Sequence, residues 1–347
     1  MNSIPQTNQR LLAFDAIKIF AILLVIWGHC IGQLSSCDVA NRSVYRIIYS
    51  FHMPLFMMIS GYFANSSMNI PPISFIKKKF RQLIYPCIAM GLIIWICIET
   101  AHSFHYKRED ISLCALMTDF YWFSDFWFLK SCFVCYVLAY LGIRSRLKPN
   151  YWIVITLILS QFIAPFFVSF MYPCFVLGMA LRKYGTLKQR IFKYKWLIIS
   201  IFTIMLLFYS SEAWNKSHGI PQGIFQADYL FWMKIIYYRM YRLFVGVLGA
   251  LSVYVIFTLF FKKTHQHSLI EILANQGKYT LEVYILQAII LEKIIAHYLK
   301  FDYMSGFIYN FIVTPMIASF LLIIFILITK TIYKIPKLGF ILFGKTI

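Results

Sequence analysis

Arg10-Leu-Leu-Ala-Phe-Asp15-Ala-Ile-Lys18, the apolar run Ile19 to Ile26, and then Trp27-Gly28-His29-Cys30 form the stretch that decides how this chain is read. It has the length and apolarity of a membrane-crossing helix, about 20 residues. Yet it carries an acid and a base near its start and a histidine near its end. Ionisable groups are costly in a bilayer, so each marks a candidate functional position. Lys18 and His29 are eleven residues apart, which is three turns. They share a helix face and lie roughly 16 Å apart along the axis. They cannot touch, but they can mark two ends of one path. Asp15 precedes Lys18 by three and can pair with it. The helix alone also admits a plainer reading, with Lys18 snorkelling to the interface and His29 in the headgroup zone.

The whole composition agrees with a membrane location. Of 347 residues, 61% are hydrophobic and 13% charged, where a soluble domain is about half apolar and a quarter charged. Mean hydropathy is +0.71. The expected fold is all-α, a polytopic helical bundle forming one integral-membrane domain over residues 1–347. Net charge is +20, but the positive residues fall in short loops between apolar runs. No basic stripe is left to grip nucleic acid. The first apolar run has no small-residue cleavage site after it and reads as an uncleaved anchor. Cys87, Cys97, Cys132, Cys135 and Cys174 lie in apolar runs as packing residues. Cys132-x-x-Cys135 lacks the second pair of a zinc site, and no metal site is expected. Cys37 and Cys114 fall in loops on one side, where a disulfide is open but unsupported.

Ten spans fit the pattern: 11–31, 46–66, 82–101, 126–143, 151–169, 171–184, 196–211, 240–261, 278–297 and 306–329. Both termini then share a side. With the N-terminus inside, the inner loops carry about twenty-one Lys and Arg against about ten outside, so both termini are expected in the cytoplasm.

Further candidates follow along the chain. Phe51-His52-Met53-Pro54-Leu55-Phe56 opens the second span. Pro54 should kink or start that helix, and His52 lies at the membrane level of His29. Lys77-Lys78-Lys79-Phe80-Arg81 suits a polyphosphate ligand, or an ordinary positive-inside anchor. Trp127-Phe128-Leu129-Lys130 ends an aromatic belt and brings Lys130 just inside an apolar run. Spans five and six should be joined by a tight turn near Met171-Tyr172-Pro173. Regions 102–125 and 212–238 are the extramembrane pieces long enough to shape a lid. Glu282 lies within the ninth span and needs a partner. The stretch after Lys330 reads as an interfacial segment.

These motifs together resemble the acyltransferase-3 group of integral-membrane acyltransferases, bacterial enzymes that acylate surface polysaccharides and related sugars. The likeness covers nearly the whole chain. Asp15-x-x-Lys18 and Gly28-His29 resemble the first-helix signature of a basic residue, ten residues and histidine. Phe51 to Phe56 with Ser60-Gly61-Tyr62 is the most specific element. Lys78-x-x-Arg81 followed by Pro86, Trp127 to Lys130, Pro173-x-Phe175-x-x-Gly178 and Gly277-x-x-x-Leu281-x-x-Tyr284 resemble further blocks. Lys18 stands where arginine is common, keeping the charge but losing the bidentate fork. Gln287 stands where many members carry histidine, and nothing resembles the esterase-like domain fused to some of them.

The resemblance implies an acyl group, acetyl first, taken from cytoplasmic acyl-coenzyme A to a hydroxyl of a surface polysaccharide or its lipid-linked precursor. The setting would be the bacterial cytoplasmic membrane. His29 would be the general base or a transient acyl carrier, with Asp15, Lys18 and His52 in the catalytic set. Lys78 and Arg81, with Lys77 and Lys79, would hold the coenzyme A phosphates, joined by Lys130 and Trp127. The rival reading is a transporter or flippase for a glycan or lipid-linked sugar, which would also use Lys18, Glu282 and kinked helices. No repeat symmetry between the halves supports it.

Overall fold

A computed structural model of the chain describes residues 6–36, 38–93, 126–163, 167–218, 229–263, 268–302, 304 and 306–345. The expected 102–125 region, Cys37, Cys97 and Cys114 lie outside these residues. Among the described residues every regular element is helical.

Helix α1 (Gln6–Gln33) runs through the middle of the bundle. Its long apolar stretch is wrapped by neighbours, leaving Ile17, Ala21, Ile22, Val25, Ile26, Cys30 and Ile31 almost without exposure. The neighbours are α2 (Ser43–Ala64), a long later helix (Tyr229–Lys263, α10 in chain order), and the last two apolar segments, met below. Between α2 and α10 come α3 (Pro72–Lys79), α4 (Trp127–Arg144), α5 (Pro149–Phe162), α6 (Val168–Lys183), α7 (Gly185–Lys193), α8 (Lys195–Leu207) and α9 (Ser211–His218). After α10 follow α11 (Ser268–Ala274), α12 (Thr280–Ile289), α13 (Thr314–Tyr333) and α14 (Pro336–Phe343).

The tightest crossing joins α2 to α6. A side-chain carbon at Gly61 would run into the carbonyl of Phe175, and one at Gly178 would run into the carbonyl of Met58. The two glycines let the backbones meet, which is how apolar helices associate where lipid removes the hydrophobic drive. This crossing holds the Phe51–Phe56 block rigidly beside α1. Pro54 sits inside α2 rather than starting it, because the helix is already under way from Ser43.

Among the described residues five helices are long and apolar enough to cross a membrane: Leu12–Gln33, Ser43–Ser67, Trp127–Arg144, Met233–Lys262 and Gly306–Tyr333. The expected ten are therefore met only in part. Helices α5 and α6, at 14 and 16 residues, rise about 21 and 24 Å, short of a bilayer core of about 30 Å. Lys195–Leu207 is apolar but shorter still. Helix α3 continues through a π turn (Phe80–Ile84) into helical residues 85–93, where the description stops.

One expectation is corrected. The turn near Met171-Tyr172-Pro173 is absent, since all three lie in α6 and are embedded among its neighbours. The break comes earlier, between Ile163, which leaves helical geometry, and Phe167, whose left-handed φ of 54° precedes α6. Pro173, the sixth residue of α6, removes the ladder bond its N–H would make to the Ser169 carbonyl, and packing of α6 against α2 carries the helix through it. The described ends of region 212–238 are helical, as α9 and the first part of α10, and residues 219–228 lie outside the described residues.

Candidate active site

His29 lies in the last turns of α1, and its partner comes from the far end of the sequence. Its Nδ1 is 3.2 Å from Oε1 of Glu292, with the side chains 23% and 20% exposed. Glu292 belongs to a π turn (Ile290–Ile295) that interrupts the helix begun by α12. Gln287, buried on α12, donates its amide N–H to the same Oε1 at 3.2 Å. An ionised carboxylate accepting from Nδ1–H leaves Nε2 with its lone pair, the arrangement of a base held by a third group. The pair is thus screened from bulk water but reachable. Trp27 fixes the neighbouring turn by donating its indole N–H to Thr314 Oγ1 at 3.0 Å and to the Asn310 carbonyl at 3.2 Å.

Helix α2 supplies the opposite wall. Gly28 is what admits it: a side-chain carbon there would come within 2.5 Å of the Tyr49 ring. The Tyr49 ring stands edge-on to both His29, at 6.1 Å between centroids, and His52, at 4.7 Å. His52 is buried, with Nδ1–H donated to the Ile48 carbonyl at 2.7 Å. The two histidines therefore flank one tyrosine. Tyr45 stacks on Tyr49, and Trp214 of α9 meets both edge-on. Behind Trp214 lies the buried Arg242 of α10, its guanidinium 4.6 Å from the Phe170 ring centre and bonded to the Ser217 carbonyl.

Three turns down α1, Lys18 pairs with Asp15 at 2.7 Å. Lys18 also lines a cavity of about 190 Å³. Ile22, Met53, Phe56, Leu83, Phe128 and Leu281 give it mostly apolar walls, and Ser60, Cys132, Thr280 and Tyr284 add polar edges. On α1 the cavity touches Lys18 and Ile22, one turn of the face that leads on towards His29. Met53 adjoins His52 in sequence, and Tyr284 lies one turn before Gln287, so the cavity wall and the His29 pair share two helices.

The basic cluster is divided by the fold. Lys78 and Arg81 face outward across the junction of α3 and its π turn. Lys79 is drawn inward, its ammonium 3.6 Å from the Tyr136 ring centre, with Gln82 accepting at 3.4 Å. Burial pushes the Lys79 ammonium down to about 8. Lys77 is exposed on the same short helix. Trp127 packs edge-on against Phe167, while its neighbours Phe128 and Leu129, rather than Trp127 or Lys130, line the cavity. Glu282 finds the partners its burial demands: the Tyr333 hydroxyl donates to Oε1 at 2.6 Å and the Lys345 ammonium lies 2.5 Å from the same oxygen. Among the described residues no cluster of His, Cys, Asp and Glu could hold a metal.

Glu292 was not singled out from the sequence, although the rule applied to Glu282 applies to it equally: an acid within an apolar run needs a reason. Arg242 could have been found in the same way.

Fold and site together define a helical membrane protein with a histidine–carboxylate pair near one end of its first helix and, three turns away, a cavity lined by Lys18. A family model described as an acyltransferase domain matches residues 11–333, and the chain belongs to this acyltransferase-3 family. Among curated proteins it is 28% identical over 228 residues to nodulation protein NolL of Mesorhizobium japonicum, covering 60% of this chain and 58% of that one. It is 29% identical over 184 residues to nodulation protein NolL of Sinorhizobium fredii, covering 49% and 48%. The chain thus spans about half the length of these relatives. No solved structure matches it.

Proposed function

We propose that the protein is an O-acyltransferase of the bacterial cytoplasmic membrane. It moves an acyl group, acetyl in the first instance, from acyl-coenzyme A on the cytoplasmic side to a hydroxyl of a surface polysaccharide or its lipid-linked precursor. The observation that carries this reading is the His29–Glu292 pair, on the helix whose Lys18, three turns away, lines an internal cavity. His29 Nε2 takes the acceptor's hydroxyl proton as its oxygen attacks the thioester carbonyl. The new C–O bond forms, the C–S bond breaks, and the proton passes from the imidazolium to the leaving thiolate. Glu292 fixes the tautomer and stabilises the imidazolium while it lasts. Lys78 and Arg81, exposed beside the cavity's Leu83, suit the donor's phosphates. Asp15 holds Lys18 in place, and the buried His52 supports Tyr49 against His29.

The test is direct. His29→Ala should insert normally and lose transfer by at least about 10³-fold, within the usual range for a lost general base. Coenzyme A should protect the purified protein against heat, less so in a Lys78→Ala, Arg81→Ala double variant. Wild-type transfer by His29→Ala would refute the catalytic assignment. A protein indifferent to coenzyme A would favour the transporter reading.

A further inference from the structure

The short helix α14 and the two residues after it touch three parts of the proposed donor site at once. Gly344 takes a left-handed φ of 66° and ends α14. Its Cα is seated so closely on Arg81 that a side-chain carbon would strike the Arg81 carbonyl and come within 3.1 Å of the Tyr85 ring. Phe343 is buried beside Tyr333, with ring centres 5.9 Å apart, and Phe340 faces Tyr85. The turn at Gly344 then delivers Lys345 to Glu282. Glu282 is wholly buried in the first turn of α12, and its second oxygen has no hydrogen-bond partner. Leu281, beside it, lines the cavity, and the same helix leads on to Glu292.

We propose that residues 336–345 are a strap that holds Arg81 in register with the start of α12, and that Lys345 and Glu282 are positioning residues for the acyl donor. The physical need is electrostatic. Glu282 is a buried anion next to a surface meant for phosphates. Lys345 neutralises it with a cation that has no other task. Without Lys345 the buried carboxylate is left uncompensated, which is strongly unfavourable. Arg81, packed against the adjacent residue, becomes the replacement counter-ion and is withdrawn from the phosphates. The strap also ties the donor's entrance to the helix that positions Glu292.

This proposal rests on the acyl-coenzyme A reading above, and one set of measurements separates the two. Transfer is measured against donor and acceptor concentration, alongside the dissociation constant for coenzyme A. Lys345→Ala should raise the donor KM and the coenzyme A dissociation constant about tenfold, with kcat and the acceptor KM within about twofold of wild type, the pattern of lost ground-state binding. Adding Glu282→Gln to Lys345→Ala should restore both donor constants, because the uncompensated charge is gone. Gly344→Val, which presses on Arg81 without changing charge, should raise the donor KM in the same direction. If wild type binds coenzyme A and Lys345→Ala binds it equally, the strap is refuted and the donor reading stands. Equal losses in kcat and in both KM values, unrelieved by Glu282→Gln, would refute it as well, by showing a purely structural contact. If wild type neither binds coenzyme A nor transfers from an acyl donor, the functional reading falls and takes the strap with it.

Discussion

Glu292 makes the weakest impression in the sequence and one of the strongest in the structure. Removing its charge while keeping its shape, in Glu292→Gln, should leave His29 in place but without the carboxylate that stabilises an imidazolium. Transfer should fall by about 10²–10⁴-fold, the range for a histidine base that loses its orienting carboxylate, with donor KM little changed, as steady-state kinetics would show. The Lys18–His29 spacing was legible because both residues lie on one helix, where a spacing of eleven fixes the relative face. The same holds for the Asp15–Lys18 pair, observed at 2.7 Å. The His29–Glu292 contact joins residues 263 positions apart and depends on packing that no local pattern encodes. Lys79 shows the opposite limit: four adjacent cations read as one patch, yet one turns inward. Its folded pKa of about 8 lies below its ordinary value of 10.5, so between those values the unfolded chain binds the extra proton. Stability should therefore rise as pH increases from 8 towards 10.5. In Lys79→Met, melting temperature should depend less steeply on pH over that window, as a thermal scan in detergent would reveal.

Among the elements, the α2–α6 crossing was visible in part. Gly61 and Gly178 both stood in recognisable blocks, but that each lies on the other helix's carbonyl is a fact of tertiary packing. Gly178→Val should force these backbones apart and cost about 2–3 kcal/mol, the range of overpacked interiors, measured as lost thermal stability in detergent. Because α2 carries Tyr49 and His52, activity should fall further than the remaining folded fraction accounts for. Element boundaries were less legible. Hydropathy detects apolar length and not where one short helix ends and the next begins, so it put a turn at Pro173, where the helix runs through. Proline removes one ladder bond, and tight packing of α6 against α2 keeps the helix intact despite it.

For the molecule as a whole, composition was decisive about class and silent about assembly. Apolar content and loop charges gave a helical membrane bundle, and the described helices agree in kind. They do not reproduce ten separate crossings, since five are long enough by themselves. The cavity could not be foreseen, because it is bounded by residues from α1, α2, α4, α12 and the segment after α3. Lys18, which lines it, was nevertheless anticipated on α1, three turns from His29. Site residues are scattered from 15 to 292 because each packed helix contributes its own.

The π turn at Ile290–Ile295 has a further consequence, which is a matter of counting residues. In a regular α-helix, positions five apart point about 140° away from each other, so Gln287 and Glu292 would not meet. The wider turn holds one residue more than an α-turn and closes that angle, and the Gln287–Glu292 hydrogen bond follows. The alignment therefore depends on the wider turn absorbing one residue. Removing Leu291 would let the turn relax to α geometry, with Glu292 four positions after Gln287 and still on its face, about 40° away; removing a second residue leaves no wider turn to absorb it and would swing Glu292 about 100° from His29. A substitution scan would miss that asymmetry; deletions of one and of two residues would reveal it.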